Sequence, residues 1–520
     1  MRKTLIRMGR LLALAALTVC GTPLSVSAQV APPPQAAAPQ VRRLTVDEAV
    51  RSALENNLGV QIARVDPLIQ DLSVAQARGV WAPTVRTTLQ TTSTDTPANS
   101  FLSGGATTKD DRFDTTVGVN QTLPWGGNYT LGWDSQRSTT TNLFSNFSPQ
   151  VRSTLSFNYQ QPLLRGFTID SQRQQLLVSQ KNREIADVTL RQSITTTTRS
   201  VRNSYWDLAY AIASLAVQRQ SLDLANQSLR NTRARVEIGT TPPIDIVEAE
   251  AEVALREEGV ILAEAAIQTA EDTLRALVYD PSMADFWTIR LEPAELPPFQ
   301  PVTVNVEAAV TNAFDRRTDL QQSRKNLEAT DVNVRFFRNQ TLPDVTASVD
   351  YGLQGLGGTQ FVRGTGFPGP IIGQSQRSFA SVLQDLFAND FPNWTASINV
   401  SYPLGGTAQE ASFAGARLRY SQSQTQLRNL QLQVTTQVRE AGRQVQTNQR
   451  RVETNRTSRS LAERRLEAEE RKFAAGTSTT FFVFQAQRDL AQARNNELRA
   501  ILDYNRSKVD FDTVQEAPLR

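Results

Sequence analysis

The sequence predicts an α+β membrane protein in which two long antiparallel coiled-coil hairpins are joined to a set of antiparallel strands. Three observations predict it. From Val201 to Leu274 apolar residues recur at every seventh position: Val201, Leu208, Leu215, Leu222, Leu229 and Val236, then Ile246, Val253, Val260, Ile267 and Leu274. The pattern returns about 237 residues later as Val438, Val445, Val452, Leu466 and Phe473, a long-period duplication. Arg459 is its one break, and a weaker run of Val483, Leu490, Glu497, Tyr504 and Phe511 follows. Between the helical segments the period changes to two. A strict heptad seam makes helices supercoil around a partner, and period two gives a strand with unlike faces.

The N-terminus gives an address. Arg2, Lys3, Arg7 and Arg10 precede an apolar run from Leu11 to Val19, and Val26-Ser27-Ala28 offers small residues for cleavage. Residues 1–28 therefore read as a secretory signal peptide, too short to span a membrane. Leu17-Thr18-Val19-Cys20 also resembles a lipoprotein processing site, although Val19 is larger than such a site takes. The chain has 55 Lys and Arg against 51 Asp and Glu; without the four bases of the signal peptide the two signs balance. The basic pI therefore points to no nucleic-acid partner. Cys20 is the only cysteine and there is no histidine, so the mature chain has no disulfide, no thiolate metal site and no imidazole base. No nucleophile, phosphate-loop or cofactor motif appears, and the sequence reads as a non-enzyme. After the signal peptide no run of 18 apolar residues occurs, which leaves a soluble chain or a membrane barrel.

In chain order, residues 29–43 form a Pro/Ala-rich linker and residues 44–280 a first structural repeat. Its first helix starts at Thr45 or Asp47 as cap, runs to about Gly79 with a kink at Asp66-Pro67, and stops before Pro83. Strands follow within 84–161, then a helical hairpin over 170–279 whose tip is Gly239-Thr240-Thr241-Pro242-Pro243. Gly239 suits a left-handed helix end, and the prolines suit a helix start. Residues 281–302 are a proline-rich linker with a short strand. The second repeat, 303–513, has strands within 344–402 and a hairpin over 408–513 with its tip at 476–480; a tail, 514–520, ends the chain. Each longest helix would measure about 100 Å.

The candidate strands are Val85 to Leu89, Phe113 to Leu123, Tyr129 to Ser135, Val151 to Tyr159, Val345 to Tyr351 and Trp394 to Tyr402. Their polar faces are rich in Thr, Ser, Asn and Gln, which suits the wet lumen of a membrane barrel and equally an ordinary sheet with one solvated face. The signal peptide and the long helices favour the barrel. Thr91 to Asp111, Ser138 to Gln150 and Gly352 to Asn393 read as outward loops, with Ser378 to Phe387 a short amphipathic turn in the last.

These features in this order resemble the TolC-type outer-membrane efflux channels of Gram-negative bacteria. The resemblance rests on Leu44-Thr45-Val46-Asp47-Glu48-Ala49-Val50, on Trp81-Ala82-Pro83, on Gln161-Pro162-Leu163-Leu164-Arg165-Gly166 and on Ser401-Tyr402-Pro403-Leu404-Gly405-Gly406. Arg235-Val236-Glu237-Ile238-Gly239 and Lys472-Phe473-Ala474-Ala475-Gly476 mark the two tips. It implies a homotrimer in the outer membrane, with one shared β-barrel and one periplasmic α-barrel. It also implies two partners, a periplasmic adaptor protein and an inner-membrane transporter. The family usually contributes four strands per protomer. Six are counted here, and the extra hairpin around Leu123-Pro124-Trp125-Gly126-Gly127 is expected outside the barrel.

The resemblance further implies a gate of acidic residues six and nine positions after a tip glycine. Those positions after Gly239 are Asp245 and Glu248, on one helix face. In the second repeat, where the family usually carries them, the matching positions hold Phe482 and Gln485; Phe481, Phe482 and Phe484 would then form an apolar constriction. Asp245 and Glu248 equally suit favourable charge at a helix N-terminus, and the phenylalanines suit hairpin packing. Adaptor docking is expected near Arg235, Gly239, Thr240, Lys472, Gly476 and Thr477, where Arg235 and Lys472 also suit cations at helix C-termini. The functional expectation is a passive exit duct of an efflux pump or type I secretion system. The other class open to the residues is a secreted coiled-coil envelope protein without a channel.

Overall fold

The structure, a computed structural model, describes residues 41–97, 106–295, 299–367, 369–405 and 407–516. The expected signal peptide, Cys20, most of the leader and the last four residues lie outside them. The first repeat runs β1 Val41–Leu44, α1 Val46–Asn56, α2 Leu58–Gly79, β2 Thr84–Pro97, β3 Thr107–Thr122, β4 Asn128–Thr140, β5 Phe147–Pro162, α3 Ser171–Glu237 and α4 Ile244–Val278. The second runs β6 Arg290–Pro293, α5 Val306–Arg316, α6 Thr318–Gln340, β7 Asp344–Arg363, β8 Ile371–Arg377, α7 Phe379–Ala388, β9 Pro392–Ser401, α8 Ala408–Ala474 and α9 Thr480–Val514.

The helices α3 and α8 have 67 residues each, and α4 and α9 have 35 each. Each long helix is flanked by two shorter ones set nearly end to end, α2 and α4 beside α3, and α6 and α9 beside α8. The layer thus reads α2, α3, α6, α8 near the sheet and α4, α3, α9, α8 toward the tips. The splices between short helices are made by side chains. Asn57 accepts the Gly59 and Val60 amides at 3.0 and 3.3 Å, opening α2, and donates its own amide to the Leu277 carbonyl at 3.1 Å near the end of α4. In the second repeat the Thr318 amide and hydroxyl donate to the Glu516 carboxylate at 2.8 and 2.7 Å, tying α6 to the end of α9. This corrects the expected single helix kinked at Asp66-Pro67. The break falls at Asn57, whose side chain supplies the cap that starts a new helix, while Pro67 lies inside α2.

The seams form the core. Val201, Leu208, Leu274, Val438, Val445, Val452 and Tyr504 are buried. The two charged breaks in the second hairpin's seams meet each other. Arg459 pairs with Glu497 at 2.9 Å, and Arg456 reaches the same carboxylate at 3.4 Å. At mid-height β1 pairs parallel with β6. The buried Tyr205 hydroxyl donates to the Leu44 carbonyl at 3.0 Å and accepts the Glu295 amide at 3.2 Å, fixing this belt to α3.

The remaining strands form one antiparallel sheet in the order β2-β3-β4-β5-β7, and β8 and β9 share the far side of β7. The sheet corrects two expectations. The hairpin around Leu123 to Gly127 is not outside it, because β3 is hydrogen-bonded along its length to β2 on one side and β4 on the other. The Thr/Ser/Asn-rich stretches read as loops are largely strand: β2 runs on to Pro97, β4 to Thr140 and β7 to Arg363. A ladder needs only backbone groups, so it continues where the apolar alternation stops.

Candidate functional site

Two regions are candidate sites: the apolar face of the sheet and the paired hairpin tips. Register decides which side chains share a sheet face. One continuous row is Val85, Val119, Leu131, Phe157, Tyr351 and Trp394, from β2 across to β9. Further along the same face lie Leu89, Val349, Ile398 and Val400. Val85 is 67% exposed, Ile398 68% and Trp394 73%. The opposite face pairs polar groups. Arg152 donates to Gln354 at 2.8 Å, and the Asn158 amide donates to Asp350. A contiguous apolar face this large, backed by a hydrogen-bonded polar face, is the two-sidedness of a strand set between lipid and water.

At the tips the two hairpins end in the same cap. The Gly239 amide donates to the Val236 carbonyl at 3.0 Å and the Thr240 amide to the Arg235 carbonyl at 3.0 Å, with Gly239 at φ 76°. Gly476 and Thr477 repeat this on Phe473 and Lys472 at 3.1 and 2.9 Å, again with φ 76°. The Thr240 and Thr477 hydroxyls add bonds to the same Arg235 and Lys472 carbonyls. The left-handed glycine lets its own amide and the next one satisfy carbonyls that the helix end leaves open. All six residues expected at the docking tips therefore hold positions in one duplicated turn. Arg235 is engaged further: its guanidinium lies 4.2 Å from the centre of the Phe473 ring, joining the first tip to the second. Lys472 stays largely exposed and pairs with Glu469 at 2.7 Å. The Lys472 ammonium, and then the Ser478 hydroxyl, hold the Glu469 carboxyl below the usual carboxylate range. An open cavity of about 410 Å³ lies here, lined by Glu469, Lys472, Gly476, Thr477 and Phe482 among others.

The expected gate residues divide. Asp245, in the first turn of α4, accepts a hydrogen bond from the Thr480 hydroxyl at 2.9 Å, so it touches the second tip. Glu248 is exposed one turn further on. Phe481 and Phe482 are about half exposed and meet edge to face, with ring centres 5.6 Å apart. Phe484 is 3% exposed, buried beside Val483, which removes it from any apolar constriction. Helix position explains the split: Phe484 shares the α9 face of Thr480 and Gln487, which reach Asp245 and Ser228 of the first hairpin, whereas Phe481 and Phe482 lie off that face.

The sequence reading missed the firmest link between the tips. Glu252 is buried and accepts from Arg256 at 2.8 and 2.6 Å and from Arg488 of α9 at 2.9 Å. The i, i+4 spacing of Glu252 and Arg256 is visible in the sequence, but the partner on the other hairpin is not. Among the described residues no helix is long and apolar enough to cross a membrane, and no cluster of His, Cys, Asp or Glu is placed to hold a metal.

Comparison with known proteins places this architecture. No curated protein matches the sequence. Among solved structures, the outer-membrane channel OprN superposes with a TM-score of 0.64 at 14% identity, covering 91% of this chain and 90% of its own. The outer membrane channel CmeC of Campylobacter jejuni gives 0.64 at 12% identity, covering 91% and 85%. The outer membrane protein VceC of Vibrio cholerae gives 0.62 at 16%, covering 90% and 95%. At these identities the likeness is one of fold. The profile described as outer membrane efflux protein matches residues 128–278 and 309–513, the larger part of both repeats. With its duplicated helical hairpins and its apolar-faced sheet, the chain belongs to the outer membrane efflux protein family.

Proposed function

We propose that three copies of this chain close into one duct. It would cross the outer membrane as a β-barrel and the periplasm as a hollow helical cylinder, and serve as the passive exit of a tripartite efflux pump. The observation that carries this reading is that edge strand and edge helix are joined in sequence at both edges. The edge helix α2 leads into the edge strand β2, and β9 at the other edge leads into the edge helix α8. Both helical edges carry exposed apolar side chains: Ile62, Val65, Ile69 and Leu72 on α2, and Leu418, Leu432 and Leu461 on α8. Unlike edges that fit each other join head to tail, and such contacts close into a ring. A secreted rod without a channel leaves the apolar sheet face without a partner.

The sheet's own stagger supports closure. The hydrogen-bonded row from Thr84, at the start of β2, passes through Asn120, Thr130, Asn158 and Asp350 to Thr395. It meets β9 six residues before that strand's end at Ser401. A rise of about 20 Å across about 24 Å of sheet tilts the strands by about 40°, within the range of closed barrels. Since β2 leaves the helical end and β9 returns to it, an edge-to-edge joint is antiparallel. Six places per copy give about eighteen strands in a ring of three, and diameter grows with strand number.

Toward the periplasm, Asp245 and Glu248 from each copy surround the entrance and favour cations, and Phe481 and Phe482 line it. The tips, with the cavity beside Lys472 and Thr477, dock a periplasmic adaptor protein that links the duct to an inner-membrane transporter. Planar-bilayer conductance of the purified protein tests the reading. The wild type is expected to be cation-selective, and Asp245→Ala/Glu248→Ala to lower the cation-to-anion permeability ratio by about half or more. Folded trimers that never conduct, even with the tips loosened by Glu252→Ala, contradict the duct. Unchanged selectivity moves the filter away from the two acids.

A further inference from the structure

We propose that α7, Phe379–Ala388, is a membrane-interface anchor that lies on the outer face of the barrel and sets its aromatic side chains among lipid acyl chains. The inference rests on the barrel reading and goes beyond it. Pairing of β5 with β7 runs without a shift from Pro162 opposite Thr346 to Gln150 opposite Gly358. Gly355 and Gly357 therefore share the face of Val349, Tyr351 and Leu353, which is the apolar face. The helix sits on these two glycines. A Cβ added at Gly355 would lie 2.3 Å from the Val382 carbonyl oxygen, and one at Gly357 would lie 2.5 Å from a Val382 methyl. Ser153, opposite Gly355, is fully buried and accepts a hydrogen bond from the Trp133 indole at 2.8 Å. A lipid-facing row of large apolar residues thus gives way to Ser and Gly where a helix backbone needs room.

The seat is held at both ends. Asp385, on the underside, takes two bonds from Arg377 at 2.9 and 2.7 Å. Ser378 caps the first turn, and the Tyr351 hydroxyl donates to the Asn389 side chain at 2.7 Å. Val382 and Leu386 are buried against the sheet. The outward arc of the helix is largely apolar: Phe379, Ala380, Phe387 and Ala388 are exposed with Gln384, and after the exposed Asn389 and Asp390 comes Phe391 at 59% exposure.

Height decides what covers this arc. Gly355 stands about 37 Å along β7 from Asp344, or roughly 28 Å above the helical end at a tilt near 40°. An apolar barrel band is about 25 Å tall. The helix therefore lies at the outer boundary of the bilayer, continuous with the apolar belt below it, where an amphipathic helix lies flat in the interface.

Site-directed spin labelling in liposomes tests this, using a Cys20→Ser chain with single cysteines at Phe387→Cys, at Trp394→Cys in the belt and at Asn158→Cys on the polar face. The label at 387 is expected to collide with oxygen several-fold more than with a nickel chelate, as at 394 and opposite to 158. Nickel access at 387 equal to that at 158, with 394 protected, overturns the anchor and keeps the barrel. Nickel access at 394 as well overturns both. Adding Gly355→Val should unseat the helix and raise nickel access at 387 while 394 stays protected; an unchanged label at 387 overturns the glycine seat.

Discussion

Arg459 and Glu497 look in the sequence like two independent faults in two heptad seams, and in three dimensions they are one ion pair. Periodicity shows where a seam is interrupted, but not which interruption lies opposite which, because that depends on the register of two antiparallel helices. Glu497 is 7% exposed, so removing its partner strands a charge. Arg459→Leu should destabilise the second hairpin by about 1–3 kcal/mol, and Glu497→Leu added to it should restore much of the loss, because an apolar pair suits a seam. Thermal unfolding of the two variants checks this. A second network joins the repeats where α3 meets α6. Lys181 pairs with Glu184 and Glu328 at 3.1 and 2.8 Å, and Lys325 with the same two at 2.8 and 3.3 Å. Glu184 is held below its usual range chiefly by Lys325, and Glu328 chiefly by Lys181; both lysines are raised in return, Lys181 chiefly by Glu328 and Lys325 chiefly by Glu184. Carboxyls lowered in the fold stabilise it above their unfolded value of 4.5, and this is lost as pH falls through the lowered value; the lysines' share is lost as pH rises past 10.5. The groups are partly exposed, so each pair is worth at most about 1 kcal/mol. Acid unfolding of Glu184→Gln/Glu328→Gln should show a shallower loss of stability below pH 4.5 than wild type does.

Among elements, the helical hairpins were legible because heptads, glycines and prolines act locally. The tip turns follow from Gly239 and Gly476, whose φ of 76° a side chain resists, although a Cβ would meet nothing within 4 Å at either. Gly239→Ala or Gly476→Ala should therefore act through backbone strain alone, costing about 1 kcal/mol and raising amide exchange in the last turn of α3 or α8. The splice at Asn57 was harder to see, because its acceptor at Leu277 lies in another helix. The strands were legible only in part. Alternation marks the stretch of strand that faces lipid on one side, whereas the outer parts of β2, β4 and β7 have water-compatible faces and read as loops. The short β1 carries no pattern of its own and exists through pairing with β6.

For the whole molecule, the fold class could be read from the sequence because duplication, address and period agree. The tip residues could be placed but not their cross-links, since Glu252 to Arg488, Arg235 to Phe473 and Asp245 to Thr480 all join one hairpin to the other. Those links hold the two tips of a protomer together. Glu252→Ala leaves Arg256 and Arg488 without their buried carboxylate and should cost about 2–4 kcal/mol locally. Faster hydrogen exchange at the tips, with exchange in the sheet unchanged, would be its signature. The central claim is that the unlike edges on the two sides of each protomer join copy to copy and close a ring around a wide barrel. Electron cryomicroscopy of the purified protein in lipid nanodiscs tests it most directly. The account predicts a three-fold axis, about eighteen strands with β2 of one copy paired antiparallel to β9 of the next, and a helical tube continuous with the barrel. A ring in which β2 and β3 lie outside the barrel wall, or a protomer whose sheet edges stay unpaired, contradicts it.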